Sequence, residues 1–444
     1  MVFKRKKYKD LLEWKEKYAG RYSLLIEGAR RVGKSTLVET FSRNEYKSSI
    51  IIDFANVSQD IMECFKDIGD IDVFLLRLQT VTGVHLYEGE SVIVFDEIQL
   101  YPKARQALKY LVQHGKYHYI ATGSLISIKK NVKDILIPSE EKRIQMHPMD
   151  YEEFCWATQS QSYSLLSKMF DTKKEMGQAA HRKSMRDFRI YMAVGGMPQA
   201  VNAYIEGKSF AQIDEVKRDI IHLYKEDFKK IDPSGYTASI FESIPAQLSK
   251  NKKRFVLSQS TSKKKTDRDD ERIYDLIDSK TVLISHNTTD PRVSLSLSKD
   301  LDSYKLYLAD TGLFVTLLFM DRPSIENELY AKLLADKLPA NLGYLYENVV
   351  AQMIAATDRD LYYHTWEKEN SSHYYEVDFL VSQGTKVNAI EVKSSGTGKH
   401  ESLTQFRERF SKVIGESFVL SQKDRKKEGA ISFIPVYMTD FILK

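Results

Sequence analysis

Residues 22–41 read YSLLIEGARRVGKSTLVETF, and this stretch decides the fold of the N-terminal part of the chain. Its first six residues form an apolar run with the length of a buried parallel strand. Residues 28–36 then match the phosphate-binding pattern G-x-x-x-x-G-K-[ST]. Leu37, Val38 and Phe41 follow at helical spacing. Strand, glycine loop and helix in this order predict a parallel α/β sheet that binds a nucleotide at the loop.

The residue types of this loop suit phosphate binding. Gly28 and Gly33 allow a tight turn that brings backbone N–H groups to phosphate oxygens at the start of a helix. The Lys34 side chain can reach the β- and γ-phosphates, and the Ser35 hydroxyl can bind Mg²⁺. We predict that these four residues and Thr36 bind the nucleotide.

Two further strands predict the rest of the nucleotide site. The apolar run in residues 91–99, SVIVFDEIQ, ends in Asp96 and Glu97, at the sheet edge where ligands bind. We expect Asp96 to hold Mg²⁺ with Ser35 and Glu97 to polarise the attacking water; two solvated acids at the start of a loop are the alternative. The strand YHYIATGS ends in Thr122 and Ser124. Either hydroxyl could bond the γ-phosphate or the water, and a plain turn is the alternative.

Composition excludes several classes of protein. The 444 residues suggest about three domains, and the net charge of +5 is a small excess. Two cysteines, Cys64 and Cys155, allow no disulfide framework beyond one bridge and favour a reducing compartment. The longest apolar run, LFVTLLFM at residues 313–320, is shorter than the roughly 18 residues of a membrane-spanning helix. The basic N-terminus lacks the apolar segment of a secretory signal. We therefore expect a cytoplasmic protein without a membrane partner.

The chain resembles the AAA-type ATPases of bacteria and archaea in which a P-loop domain precedes a C-terminal domain of unknown function. The resemblance is carried by GARRVGKSTL, VIVFDEIQ, ATGS, RIQMHPMDYEEF, VGGMPQA, KLYLADTGL, YENVVA and EVDFLVSQGTKVNAIEVKSS. It implies that ATP is the bound nucleotide, that Asp96 and Glu97 form the second nucleotide motif, and that Thr122 to Ser124 lie near the sensor position.

Hydrolysis by AAA-type enzymes usually needs an arginine near the γ-phosphate, often from a neighbouring subunit. Arg30, Arg31 and Arg143 are candidates, and the sequence does not choose among them. Arg30 and Arg31 equally suit salt bridges on the outer side of the loop. A second copy of the chain is therefore one of the partners that the sequence leaves open.

The middle of the chain predicts helices and then a small mixed segment. Residues 151–235 are charge-rich with helical periodicity, interrupted at VGGMPQA, and suggest a helical lid beside the nucleotide site. Residues 236–340 contain short helices followed by a β-hairpin of the strand-like TVLISHN and KLYLAD, which suits a winged helix or another small α+β unit, and periodicity does not distinguish the two. Lysine clusters at 250–254 and 263–265 suit DNA phosphates, or a solvated loop balanced by DRDDER.

Residues 341–444 contain a second candidate site. Two strand-like runs, EVDFLV and NAIEVKSS, are joined by the turn-like SQGTK. Glu391 and Lys393 project from one sheet face, and Asp378 can approach from the neighbouring strand. This D-x12-E-x-K arrangement resembles that of the restriction-endonuclease-like fold. Asp378 and Glu391 would bind Mg²⁺, Lys393 would orient hydroxide, and Glu347 would supply a further acid; a structural salt bridge is the alternative.

Together these patterns predict an α/β chain in four parts. They are an AAA-type P-loop ATPase domain at 1–150, a helical lid at 151–235, a winged-helix-like segment at 236–340 and a restriction-endonuclease-like α/β domain at 341–444. The predicted catalytic residues are Glu97, Asp378, Glu391 and Lys393.

Two functions remain open from the sequence. The first is ATP hydrolysis coupled to a nuclease-like domain that acts on nucleic acid. The second is an ATP-dependent switch whose C-terminal domain is inactive and binds DNA or a protein partner. A nucleotide-binding protein with little turnover is a third reading, and the second acid, Glu97, argues against it.

Overall fold

The phosphate-binding stretch lies in the first of two compact units of the chain, whose structure is a computed structural model. Unit one comprises residues 1–147 and 278–280, and unit two comprises residues 148–277 and 281–444. The structure describes residues 1–123, 140–250, 254–256, 267–292, 294–321, 327–335, 337, 343–369, 371, 373–394 and 400–444.

The core of unit one is a five-stranded parallel sheet. Its strands are β1 Ser23–Glu27, β2 Ser48–Asp53, β3 Ser91–Asp96, β4 His118–Gly123 and β5 Glu141–Gln145. They lie in the order β2-β3-β4-β1-β5, and every neighbouring pair is parallel. All residues of β1 and β3 are buried, as continuous apolar runs predict. The parallel α/β sheet predicted for the N-terminal part is therefore confirmed.

Helices flank this sheet, and their ends follow local signals. The Asp70 carboxylate accepts a hydrogen bond from Val73 N (3.2 Å), and Gly83 ends the same helix with a φ of 66°. Phe54, Phe65 and Phe95 belong to the core between helices and sheet. The helices of unit one are α1 Tyr8–Lys17, α2 Lys34–Glu45, α3 Gln59–Cys64, α4 Ile71–Thr82 and α5 Pro102–His114.

Unit two begins with a series of helices. Asp150 caps the first by accepting a hydrogen bond from Glu153 N (2.9 Å), and Ser209 with Gln212 forms a capping box at the longest. The helices are α6 Tyr151–Ala157, α7 Ser162–Asp171, α8 Gln178–Val194, α9 Pro198–Ile205, α10 Phe210–Ile231, α11 Tyr236–Leu248, α12 Asp267–Asp278, α13 Thr311–Leu318, α14 Asn327–Leu334, α15 Gly343–Ala355, α16 Glu401–Arg409 and α17 Thr439–Leu443.

The break at VGGMPQA is a site of close backbone packing. Gly195 has a φ of +83°, and a Cβ there would lie 2.4 Å from Asp310 Oδ1. A Cβ on Gly196 would lie 2.1 Å from the carbonyl oxygen of Met149. Pro198 then starts α9. Only glycines fit between these neighbours, so two segments that the sequence analysis quoted separately, VGGMPQA and KLYLADTGL, are in contact.

A mixed eight-stranded sheet makes up most of the rest of unit two. Its strands are β6 Val282–Thr288, β7 Lys299–Leu308, β8 Leu361–Glu367, β9 Tyr374–Gln383, β10 Lys386–Lys393, β11 Ile414–Ser421, β12 Lys426–Glu428 and β13 Ile431–Pro435. They lie in the order β12-β13-β11-β10-β9-β8-β6-β7. The strands β9 and β10 form the predicted antiparallel pair, and β10 continues into a parallel pair with β11. The expected second α/β region is therefore confirmed as a mixed sheet.

The predicted hairpin of TVLISHN and KLYLAD forms, since β6 and β7 pair antiparallel. In addition, β6 pairs parallel with β8, so the hairpin continues the C-terminal sheet. The winged helix, the lid and the four domain borders stay predictions. The helices of residues 151–231 belong to unit two. Among the described residues, no helix has the length and apolar character needed to cross a bilayer.

Candidate functional site

The phosphate-binding loop connects β1 to α2 at the carboxyl end of the sheet. Gly33, the residue before α2, has a φ of 96°, in the region that favours glycine. A Cβ on Gly28 would lie 2.4 Å from the carbonyl oxygen of Met146, and Met146 N donates to the Glu27 carbonyl at 2.7 Å. Both glycines of the pattern are therefore required by the backbone, whatever the loop binds.

The Lys34 ammonium is held inside the loop. Its Nζ donates to the carbonyl oxygens of Gly28 (3.1 Å) and Ala29 (3.0 Å), and the residue is 6% exposed. Burial lowers the pKa of Lys34, and the carboxylates of Glu97 and Asp96 oppose this effect. The ammonium is therefore held by two loop carbonyls, and the two acids of the second motif favour its charged form.

Side chains from three chain segments meet at the Asp96 carboxylate. The Ser35 hydroxyl donates to Asp96 Oδ1 at 3.1 Å, and the Thr122 hydroxyl donates to the same oxygen. Thr122 Oγ1 also accepts a hydrogen bond from Glu97 N at 3.3 Å. Thr122 on β4 thus links Asp96, the last residue of β3, to Glu97, and Ser35 on α2 reaches the same Asp96 oxygen. Ser124, the other predicted hydroxyl, lies outside the described residues.

The backbone of Glu97 is in an uncommon conformation. Its φ of 53° and ψ of 45° lie in the left-handed region, which costs on the order of 1 kcal/mol for a residue with a Cβ. The Gln99 side-chain amide donates to Glu97 Oε2 across a short 3-10 turn. Gln99 was not predicted from the sequence, and its only signal was its position in DEIQ.

The Ser35 and Asp96 oxygens suit Mg²⁺. A hydroxyl and a carboxylate 3.1 Å apart are hard ligands, and Mg²⁺ usually combines one or two such groups with water and phosphate oxygens. Ser35 and Asp96 would hold the ion, and Thr36 is exposed at the start of α2. In the part of the chain that the structure describes, no group of three or more His, Cys, Asp and Glu side chains is arranged as a metal site.

The three candidate arginines differ in their surroundings. Arg143 Nε contacts Glu141 Oε1 at 3.0 Å, and Arg143 Nη1 lies 3.6 Å from Glu27 Oε1. Arg30 is exposed, and its charge lowers the pKa of Lys34. Arg31 is exposed with a φ of 70°. Two carboxylates already engage Arg143, so it is the least suited of the three to reach a phosphate.

The second candidate site lies on β9 and β10. Ile390 pairs with Phe379 in the antiparallel register, so Glu391 and Asp378 are the next opposed positions. Asp378 Oδ2 accepts a hydrogen bond from Val392 N at 2.7 Å. Lys393 Nζ pairs with Glu391 Oε1, and Glu391 Oε2 is buried without a hydrogen-bond partner. The predicted acids and lysine are therefore brought together on one face of the sheet.

Burial perturbs the acids of this second site. It raises the pKa of Asp378 to about 7 against the opposing charge of Lys305. The pKa of Glu347 on α15 is also raised to about 7 by burial, again opposed by Lys305. Burial raises the pKa of Glu391, and Lys393 opposes it. Lys305 Nζ lies 4.0 Å from Glu347 Oε2, so Glu347 lies beside this group, and its role as a further acid stays a prediction.

Lys305 and Glu376 also belong to this cluster and were not predicted. Lys305 Nζ lies 2.5 Å from Glu376 Oε1 and 4.0 Å from Glu347 Oε2. Lys305 is on β7, within a stretch that the sequence suggested was part of a winged helix. Glu376 could have been found, because it lies two residues before Asp378 and so shares its sheet face.

Asp378 and Glu391 fit one hard divalent cation. The unpartnered Oε2 of Glu391 and the opposed carboxyl of Asp378 are oxygen ligands of the type that Mg²⁺ takes with retained waters.

The structure describes only part of the two basic clusters that were predicted to bind DNA. Lys250 and Arg254 are exposed, and residues 252–253 and 263–265 lie outside the described residues.

Three segments of the chain match known families. Residues 20–155 match the AAA domain, residues 185–324 match a domain of unknown function (DUF8612), and residues 342–438 match another domain of unknown function (DUF4143). The uncharacterized protein MJ1637 of Methanocaldococcus jannaschii is 23% identical over 223 residues, 47% of this chain and 46% of that protein. The chain thus spans about half the length of this curated relative.

Three solved structures are weakly similar to this chain. The Orc1 protein of Aeropyrum pernix in complex with DNA has a TM-score of 0.29 and 12% identity, and the match covers 71% of this chain and 93% of that one. A signal transduction ATPase with numerous domains and a tetratricopeptide repeat sensor, from Pyrococcus horikoshii, has a TM-score of 0.28 and 14% identity, covering 79% of this chain and 48% of that one. A Vibrio cholerae protein has a TM-score of 0.18 and 9% identity, covering 95% and 96%.

TM-scores this low support no inference about function. The AAA domain match stands on its own, and it covers the parallel sheet, the phosphate-binding loop and the two acids after β3. Residues 20–155 therefore form a domain of AAA type, as the sequence led us to expect.

Proposed function

We propose that unit one binds ATP with Mg²⁺ and hydrolyses it. The observation that carries this proposal is the hydrogen-bonded group of Ser35, Asp96 and Thr122, with the buried ammonium of Lys34 nearby. These side chains come from three separate segments of the chain. A sheet edge with only a structural role does not require two hydroxyls, a carboxylate and a buried ammonium in one place. A nucleoside triphosphate with a bound cation requires positive charge at its phosphates and oxygen ligands for the cation, and these side chains supply both.

Each residue of this group has a separate task in the proposed reaction. The loop N–H groups and Lys34 would bind the phosphates, and Ser35 and Asp96 would hold Mg²⁺, which would supply positive charge beside the phosphates. Glu97 orients the attacking water and takes up its proton. Thr122 fixes Asp96 and Glu97 relative to each other through its two hydrogen bonds.

Binding and turnover of ATP test the proposal. Lys34→Ala is expected to weaken ATP binding at least about tenfold and to abolish turnover, because it removes the cation at the phosphates. Lys17→Ala serves as the control, since Lys17 is exposed and pairs only locally with Glu13. Turnover by Lys34→Ala that equals the wild type would remove the assignment of this loop.

A second candidate function concerns unit two. The opposed Asp378 and Glu391, with Lys393 beside them, favour a metal-dependent nuclease-like site that acts on phosphodiester bonds. The unpartnered Glu391 Oε2 supports this reading over a plain salt bridge, because a buried oxygen without a partner is costly in a structural role. The alternative keeps the ATPase and makes unit two an inactive module that binds DNA or a protein.

Plasmid nicking separates these alternatives. With Mg²⁺ or Mn²⁺, the wild type is expected to nick plasmid DNA and Asp378→Ala is expected to lose at least about 99% of the activity. Glu408→Ala is the control, because Glu408 is exposed on α16 in the same region. Nicking that survives Asp378→Ala would exclude this cluster as the nuclease site. A wild type that does not nick would favour the switch function.

The proposal of DNA as a partner has its own test. Clustered lysines bind DNA phosphates with an affinity that falls steeply with salt. Replacing Lys252, Lys253 and Arg254 together by alanine is therefore expected to weaken duplex binding and to reduce its salt dependence. Unchanged duplex binding would exclude this cluster.

A second copy of the chain is the other proposed partner. ATP-dependent self-association, measured by sedimentation, tests it.

A further inference from the structure

The acidic cluster of the C-terminal sheet also contains a buried lysine, Lys305, that lies outside the predicted D-x12-E-x-K motif. We name the group the strand cluster, and it consists of Glu347, Glu376, Asp378, Glu391, Lys305 and Lys393. Four of these residues carry carboxyl groups and two carry ammonium groups. Lys305 lies on β7, outside the segment 342–438 that matches a family of its own.

Lys305 is fixed by several elements at once. Its Nζ lies 2.5 Å from Glu376 Oε1 on β9 and 4.0 Å from Glu347 Oε2 on α15. It lies 5.2 Å from the ring centre of Tyr363 on β8. Lys305 is 6% exposed. Its side chain reaches Glu376 on β9 even though β6 and β8 lie between β7 and β9 in the sheet. The ammonium therefore stands among three elements, and water has little access to it.

Lys305 also acts on Asp378, because its charge opposes the burial that raises the pKa of this carboxyl. Glu347 and Glu376 both contact the same ammonium. The carboxyl of Glu391 is engaged separately by Lys393.

Two buried polar atoms in this region lack a partner, which points to a ligand. Glu391 Oε2 has none, and the Tyr307 hydroxyl, on a fully buried residue, has none either. Tyr307 lies two residues after Lys305 and so on the same face of β7. Burial raises the pKa of the Tyr307 hydroxyl, and the charge of Lys305 on the same strand opposes this rise. Buried polar atoms are nearly always satisfied, by protein, water or an ion.

Sites with two metal ions need carboxylates that bridge ions about 3.5–4 Å apart. In the strand cluster, Asp378 is opposed to Glu391 across the β9–β10 pair, and Glu376 lies two residues before Asp378 on the same face of β9. Lys305 contacts Glu376 and Glu347. An ammonium and a divalent cation compete for the same carboxylates, because their charges repel at this distance.

We propose that Lys305 is a positioning residue that stands where a second metal ion would bind, so that the strand cluster takes up a single divalent cation, at Asp378 and Glu391. The inference rests on the proposed nuclease-like site for its location. Glu347 and Glu376 then serve to hold Lys305.

Binding of Mn²⁺ to the full chain without nucleotide, followed by calorimetry and by electron paramagnetic resonance, tests this proposal. The wild type is expected to bind one Mn²⁺ that is lost in Asp378→Asn. Lys305→Met is expected to bind an additional Mn²⁺, or to bind the first at least about tenfold more tightly, because a repelling charge is gone.

Lys217→Met is the matched control. Lys217 is also a fully buried lysine of unit two, and its Nζ donates to the Ala193 carbonyl (2.7 Å) and the Tyr330 hydroxyl (2.8 Å). It is remote from the strand cluster in the sequence and shares no hydrogen bond with it. Its loss removes a buried ammonium of the same kind, and Mn²⁺ binding is expected to stay as in the wild type.

A single lysine deletion leaves Glu376 without its partner and so risks misfolding. The double variant Lys305→Met with Glu376→Gln removes the ion pair as a unit, and it is also expected to bind Mn²⁺ more tightly than the wild type. Circular dichroism establishes that each variant is folded.

Three results would overturn the proposal. They are Mn²⁺ binding by folded Lys305 variants that equals the wild type, a wild type that binds two ions dependent on Asp378, and a wild type that binds none. Failure of the nuclease proposal is a different result. Single-ion binding without any nicking would remove the nuclease function and leave the role of Lys305 in place.

Discussion

At the residue scale, Thr122 connects Asp96, the last residue of β3, to Glu97, the residue that follows it. Thr122→Val keeps the shape of this fully buried side chain and removes its hydrogen bonds to Asp96 and Glu97. We expect ATP turnover to fall about 10–100-fold with ATP affinity changed less than about threefold, because the acids lose their alignment and the phosphate grip is intact. Thr40→Val, which removes a hydroxyl on α2 bonded only to the Thr36 carbonyl, should leave turnover unchanged.

Gly28 tests the backbone of the same loop. In Gly28→Ala the new Cβ would start 2.4 Å from the Met146 carbonyl oxygen, so the loop must move. We expect about 1–3 kcal/mol of destabilisation and weaker ATP binding. Thermal unfolding and a binding titration measure both. Gly20→Ala meets no atom within 4 Å and is the matched control. Equal behaviour of the two variants would show that the close approach at Gly28 has no consequence.

The sequence predicts that Lys34, Asp96 and Thr122 lie at one sheet edge. Asp96 and Thr122 are at the carboxyl ends of two parallel strands, and Lys34 follows the loop after a third. Gln99 did not follow, since a short 3-10 turn directs its side chain back to Glu97. Lys305 did not follow either. Its contact with Glu376 spans 71 residues of sequence, and no local pattern predicts a pairing of that separation.

At the scale of elements, the strands β9 and β10 carry acids that burial keeps protonated to unusually high pH. Burial raises the pKa of Asp378 to about 7, from an ordinary value of 3.8. The folded state therefore binds more protons than the unfolded state between about pH 4 and pH 7, and this carboxyl lowers stability increasingly as the pH rises through that window. Its effect is complete above about pH 7 and absent below about pH 4.

Removing this titration should therefore stabilise the protein at alkaline pH. In buffer with a chelator, Asp378→Asn is expected to be about 1–3 kcal/mol more stable than the wild type at pH 8 and about equal to it at pH 4. An asparagine oxygen can still accept the hydrogen bond from Val392 N. Denaturant unfolding across this pH range measures the difference, with Glu408→Gln as control. A difference that does not vary with pH would contradict the raised pKa.

Other elements of unit two are joined by buried side chains that the sequence could not pair. Asn348 on α15 accepts a hydrogen bond from Leu308 N (2.8 Å) and donates to the Leu308 carbonyl (3.2 Å). Gln352 accepts from Thr311 N at 2.8 Å and donates to the Tyr191 hydroxyl at 2.9 Å. The quoted segments KLYLADTGL and YENVVA are thus one packed junction. Periodicity predicts that such segments are helix or strand, and it carries no information about which ones touch.

At the scale of the whole molecule, the chain combines an AAA-type domain with a mixed sheet that carries its own acidic cluster. The proposed ATPase site lies in unit one, and the strand cluster lies in unit two. The nucleotide site is the more strongly supported of the two, because a family match and a geometric arrangement agree on it. The rest of the proposed function depends on ATP being hydrolysed there.

Glu97→Gln is the most direct test of that claim. The change is nearly isosteric, removes the base and leaves Lys34, Ser35 and Asp96 in place. We predict that the variant binds ATP with an affinity within about threefold of the wild type and hydrolyses it at least about 100-fold more slowly in single-turnover measurements with Mg²⁺. A variant that hydrolyses bound ATP at the wild-type rate would contradict the account of this site.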